Sequence, residues 1–168
     1  MVNFEPKTSK KFDNYMSPKH AWEDIMHLIP RNKVIWEAFY GDSKSGQYLR
    51  ELGFEVIHEP IDFFTTNNGQ IVVSNPPYSK AKEVLSRLRF LEKPFILIMP
   101  TSKICTQYIR TIFKDSTDKL QIIIPPKRIH FVRIVNDQVD NSRCNKCNFE
   151  CLYYCWKINL PDDITWLK

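Results

Sequence analysis

The sequence predicts an α/β fold, a mostly parallel sheet with an antiparallel pair of strands toward the C terminus. Three observations carry this. Between Lys33 and His58 a strand, a glycine-bearing turn, a helix and a second strand follow one another. A unit of about 25 residues in that order is a right-handed crossover between parallel strands. Apolar strands then alternate with segments of helical spacing as far as Pro126. Finally, "RIHFVRIV" and "FECLYYCWKI" are strand-like runs separated by a polar loop, not a helix, which marks an antiparallel edge.

The elements follow in order. Residues 1–12 are polar and lysine-rich and read as a loose arm. "MSPKHAWEDIMHLIP" reads as a helix, with Ser17 as N-cap and Pro18 in the first turn. Ala21, Trp22, Ile25, Leu28 and Ile29 share one face, and Pro30 ends the run. "KVIWEAF" is a buried strand, "YGDSKSG" a turn, "GQYLRELG" a helix closed by Gly53, and "FEVIH" the next strand. Gln70 to Asn75 forms a third strand, followed by a basic helix from Lys80 to Phe90. "KPFILIMP" is a strand, "TSKICTQYIRTIFK" a helix and "KLQIIIPP" a strand. No repeat or linker divides the chain, so residues 1–168 are expected to form one domain.

Composition narrows the function. The chain has 168 residues, 43% of them hydrophobic, enough for a real core. A net charge of +5 permits a polyanionic partner without requiring one. No apolar run approaches the roughly 18 residues of a membrane span, and the N-terminal segment lacks the apolar centre of a signal peptide. An intracellular protein with no membrane partner is expected.

The stretch "IVVSNPPYSK" concentrates chemistry at one strand end. Pro76 and Pro77 fix two backbone dihedrals and offer no amide hydrogen. They hold the Asn75 side chain and the carbonyl after it as a rigid pair of acceptors. The natural ligand of such a pair is an NH2 group. Tyr78 adds a flat face suited to stacking on a planar base. The same residues also make an ordinary strand-ending turn. Their position after a crossover unit favours a site, because ligands of open α/β sheets bind at carboxyl strand ends.

"SNPPYS" resembles the catalytic motif of the class I, S-adenosylmethionine-dependent amino methyltransferases, in its adenine-N6 form. "FDNYMSPKHAW" is similar to their N-terminal cofactor segment, with Ser17 in place of the usual Thr, and "WEAFYGDSKSGQYL" to their first cofactor loop. The closing strands resemble the pair that ends this Rossmann-like fold. The likeness covers about Tyr15 to Ile158. It implies S-adenosylmethionine as cofactor, with Asn75, Pro76, Pro77 and Tyr78 at the reacting amine. It further implies Glu37 on the methionine ammonium, Phe39, Gly41 and Gly46 in the cofactor loop, and Tyr15, Ser17 and Pro18 on its far side. The ribose acid is Glu59 or Asp62, and Asp62-Phe63-Phe64 resembles the acidic motif near the cofactor's adenine. Ser43 stands where a glycine is common and Pro60 lies in the ribose-acid segment, departures that bear on cofactor affinity. Only Glu59 to Gln70 separate two strands between which the family usually has a helix and a strand, so those are expected to be reduced or absent.

Lys80 and Lys82 follow the motif, Lys127 and Arg128 lie at another strand end, and all four could pair with phosphates; Arg87 and Arg89 fit a solvated helix face as well. Nucleic acid is therefore the expected partner, DNA favoured and RNA close behind. No separate recognition domain is visible. Sequence choice is left to loops such as Asn136 to Asn148, to a partner subunit or to a second copy. The same motif also suits a protein glutamine amide, or a non-catalytic subunit that keeps the fold. The chain has five cysteines. Cys144 and Cys147 have zinc-knuckle spacing, but Cys151 and Cys155 fall in a strand, about 13 Å apart. A zinc site of Cys144, Cys147 and Cys151 completed by a histidine is the alternative; buried free thiols and no metal are expected.

Overall fold

The computed structural model describes residues 15–135, 138–139 and 149–168. The arm 1–12, Cys144, Cys147 and most of the loop Asn136 to Asn148 lie outside the described residues. The larger sheet contains β2 (Ile35–Trp36), β3 (Val56–Ile57), β4 (Ile71–Ser74), β5 (Phe95–Pro100), β6 (Leu120–Ile124), β9 (Cys151–Trp156) and β10 (Ile164–Trp166). Their spatial order is β10-β6-β9-β5-β4-β2-β3. Every neighbouring pair is parallel except those made by β9, which runs antiparallel to both β5 and β6. This is the mixed, mostly parallel α/β sheet expected, with its antiparallel pair near the C terminus. Four helices, α1 (Lys19–Glu23), α2 (Lys44–Glu51), α3 (Ala81–Phe90) and α4 (Gln107–Phe113), lie among the strands. β4 and β5 are buried along their whole length, hence their near-continuous apolar sequences, broken in β4 only by Ser74.

Several expectations are corrected. The first helix stops at Glu23 and not at Pro30. Turns with i to i+3 bonds, such as Leu28 N to Ile25 O (2.9 Å), carry Ile25 and Ile29 into the core instead. Pro18, not Ser17, is its N-cap, and no side chain caps it. Of the two closing runs, only "FECLYYCWKI" joins the large sheet. The other supplies β7 (Val132–Val135), which pairs with β1 (Tyr15–Met16) and β8 (Gln138–Val139) in a separate small sheet. β10 is unforeseen: it has three residues, preceded by Pro161, Asp162 and Asp163, and carries almost no period. Residues 58–70 contain no helix or strand, as the short spacing implies. Among the described residues no helix is long and apolar enough to cross a membrane.

The strand order places the site. β2 lies between β3 and β4, so the chain leaves it toward one side and returns on the other. Crevices form at the carboxyl side of such a switch point. Pairing of Trp36 with Val72 puts Glu37 and Asn75 at neighbouring strand ends.

Candidate active site

A cleft of about 430 Å³ opens at this switch point, within the range of small-molecule pockets, roughly 300–1,000 Å³. Tyr15, Ser17, Glu37, Phe39, Gly41, Asp62, Phe63, Asn75 and Pro77 line it. Segments far apart in sequence thus meet around one space. Met16, Tyr40, Asp42, Ser45, Phe64 and Lys80 also line it. Asp42 and Asp62 face it against one lysine, and Glu37 adds a third carboxyl group that a bound cation can ionise, so the cleft favours a cationic ligand.

Asn75 has the most informative geometry. Its Nδ2 donates to the Tyr15 carbonyl at 3.0 Å. A carbonyl only accepts, so the NH2 must face it and the orientation of the amide follows. Oδ1 is then left as a buried acceptor with no partner among the described residues. Ser17 Oγ, released from helix capping, is likewise buried and unpartnered on the cleft wall. These two oxygens on one cleft wall are free to accept from a ligand's donors.

Glu37 is 1% exposed. Its Oε1 accepts hydrogen bonds from the Ser74 hydroxyl and from the Phe39 amide (3.4 Å). Its Oε2 lies 3.2 Å from His58 Nε2, which also sits 3.1 Å from the Tyr40 carbonyl. Burial pushes the Glu37 carboxyl up to about 8, against the pull of the Ser74 and Phe39 donors. Burial holds His58 below its ordinary value. A carboxyl kept so dry awaits a positive group, which would draw its pKa back down.

Other predicted residues lie elsewhere. Gly46, expected in the cofactor loop, is buried in α2 beneath His58, where a Cβ would stand 1.8 Å from Nδ1. Its missing side chain makes room for that ring, not for a ligand. Gly41 does line the cleft, at φ +52° with a Cβ position 3.0 Å from Met16 Sδ. Pro18 and Glu59 are off the cleft, so of the two ribose-acid candidates only Asp62 faces it. Pro76 is buried and does not line it. Tyr78 is 7% exposed. Its ring packs edge-on to Phe149 (5.5 Å) and its hydroxyl lies 3.5 Å from Cys151 Sγ, so it too is off the cleft wall. Lys80 reaches the rim, whereas Lys127 and Arg128 are not among the lining residues. Arg128 donates to the Phe149 carbonyl at 3.2 Å. Cys151 and Cys155 are buried free thiols. Among the described residues no group of three or more His, Cys, Asp or Glu is placed to hold a metal.

Sequence reasoning missed two supporting residues. His58 orients Glu37; its trace was a glycine inside a helix, which often signals close approach. Arg87, taken for a solvated cation, donates Nε to the Phe63 carbonyl (2.9 Å) and an Nη to the Thr66 carbonyl (2.8 Å). It clamps the loop bearing Asp62, and nothing local distinguishes it from Arg89.

No family model matches the chain, and no curated protein does. Among solved structures, precorrin-6y C5,15-methyltransferase from Geobacter metallireducens GS-15 is similar over 90% of this chain and 94% of that chain. The identity is 11% and the TM-score 0.47. With so low an identity, the site has to be read from its own residues.

Proposed function

We propose that the protein transfers a methyl group from S-adenosylmethionine to the exocyclic N6 amine of adenine in nucleic acid, DNA being favoured over RNA. The observation that carries this reading is the Asn75 amide, anchored through Nδ2 with Oδ1 left as a buried, unpartnered acceptor on the cleft. An aromatic NH2 is the complementary donor.

The chain's own residues fit the cofactor. Glu37 would hold its ammonium, a buried carboxylate against a cation. Asp62 would take ribose hydroxyls, with Phe39 and Phe63 as apolar walls and Tyr15 and Ser17 across the cleft. When bound, S-adenosylmethionine supplies an electrophilic methyl group, its sulfur departing as the neutral thioether while the methylated amine gives up a proton to solvent. Asn75 Oδ1 accepts a hydrogen bond from the amine, enriches its nitrogen in electron density and aims its lone pair. Catalysis on this reading is orientation plus stabilisation of positive charge developing on the amine. No covalent nucleophile is required, which leaves the buried cysteines out of the chemistry. A target within a duplex would have to flip out.

The test is transfer of labelled methyl to adenine-containing DNA and RNA oligonucleotides, single- and double-stranded. Label should appear at adenine N6. Asn75→Ala should lower turnover by about 10²–10³-fold, the scale of one lost stabilising contact to developing charge, while cofactor binding by calorimetry survives. Cofactor binding without label on any adenine polymer would remove adenine as the substrate.

A further inference from the structure

Beside the cleft lies a second depression of about 500 Å³, lined by Phe64, Lys80, Lys82, Glu83 and Ser86. It shares Phe64 and Lys80 with the cleft. Phe64 is a large aromatic left 37% exposed, while Phe63 beside it is 3% exposed.

The loop that carries Phe64 is stapled. The Phe64 amide donates to Asp62 Oδ1 at 2.9 Å, and the Thr66 hydroxyl donates to the Asp62 carbonyl at 2.7 Å. Arg87 grips the carbonyls on either side, those of Phe63 and Thr66. The Phe63 ring supports that of Phe64 edge-on at 5.1 Å. An exposed ring on so constrained a backbone is presented at little entropic cost. Below it, Lys80 and Lys82 are both exposed. Lys19, Lys119 and Lys157 are held in ion pairs, whereas Lys80 and Lys82 form no ion pair among the described residues. A ring to stack on, beside two unpaired cations, is the recurring platform for unpaired nucleic acid.

We propose that this depression holds the nucleotide next to the target, its base stacked on Phe64 and its phosphate between Lys80 and Lys82. The proposal rests on the reading of the cleft above and adds that the substrate is single-stranded at that neighbour. An unpaired base, unlike one stacked within an intact duplex, offers Phe64 a free face.

The experiment is fluorescence anisotropy of a labelled single-stranded oligonucleotide with one central adenine, on the full chain without cofactor. An equal-length duplex and a salt titration accompany it, and calorimetry with S-adenosylmethionine runs in parallel. The single strand should bind more tightly than the duplex. Phe64→Ala should weaken it about 5- to 150-fold, the worth of one stacked base, and Phe64→Trp should restore it. Lys82→Ala, off the cleft, should lower the salt slope by about 0.7, as for one phosphate of a single strand. Unchanged oligonucleotide affinity in folded Phe64→Ala would overturn the proposal. So would a loss confined to cofactor binding, which would assign the ring to the cleft. Cofactor binding without affinity for any oligonucleotide would overturn it together with the nucleic-acid part of the proposed function. Oligonucleotide binding lost in Phe64→Ala, from a protein that binds no cofactor, would uphold the depression and sink methyl transfer.

Discussion

The two halves of the sheet treat the buried polar groups of their strands differently. Along β6 and β9 the large polar side chains are satisfied, while Thr165 Oγ1 on β10 and the Tyr108 hydroxyl on α4 have no partner among the described residues. The Tyr153 hydroxyl donates to the Ala21 carbonyl (2.7 Å), the Tyr154 hydroxyl to the Pro100 carbonyl (2.6 Å), and Trp156 Nε1 to the Asp118 carbonyl (3.1 Å). Gln121 donates to the Leu160 carbonyl at 2.9 Å and accepts from the Leu160 amide at 3.0 Å. On the side of β2 and β4, Ser17 Oγ and Asn75 Oδ1 are left open and Glu37 is dried until it resists ionisation. Unmet hydrogen bonds cost about 1–3 kcal/mol each. One half stabilises the fold, and the other holds unspent binding capacity.

Substitution should separate the halves. The largest effect expected is at Asn75, where Ala removes activity by orders of magnitude yet leaves the melting temperature within a few degrees. Tyr153→Phe should do the reverse. It strips the Ala21 carbonyl of its donor and should cost roughly 1–3 kcal/mol, with turnover per folded molecule unchanged. Thermal melts and methyl-transfer rates on the same samples check both. A collapse of stability in Asn75→Ala would dissolve the contrast.

Glu37 gives a pH-dependent version. Its folded pKa, about 8, lies above its ordinary value of 4.5. A raised folded pKa contributes stability that is present in full below the unfolded value and lost as pH rises toward about 8. Glu37→Gln should flatten that decline, read from denaturant midpoints between pH 5 and 9 (roughly the titration window). A bound cation needs the ionised carboxylate, so affinity for S-adenosylmethionine should rise with pH to about 8 and then level off. Calorimetry in buffers of different ionisation enthalpy should record proton release below that pH.

The smallest effect expected is at Ser43. It sits at φ 66°, in the left-handed region, at the start of α2. That conformation costs a residue with a Cβ about 1 kcal/mol. Ser43→Gly should raise the melting temperature by a degree or two and leave the cleft's ligands bound as before. The left-handed backbone at Ser43 is thus carried as local strain at the start of α2.

Hydrophobic period and punctuation in the sequence were enough to predict the crossover unit, the central strands and the abrupt stop after β4. Those signals are local, and burial on both faces of β4 and β5 made them strong. The sequence also placed Glu37 and Asn75 at strand ends, because apolar runs stop where the chain meets solvent or a cleft. Only the tertiary structure put Asp62 and not Glu59 on the cleft, turned Tyr78 inward, gave Gly46 to His58 and set Arg87 on the Phe63 loop. Each of those outcomes depends on which side of a strand faces which neighbour. Contacts between residues far apart in sequence settle that, and no local period encodes them.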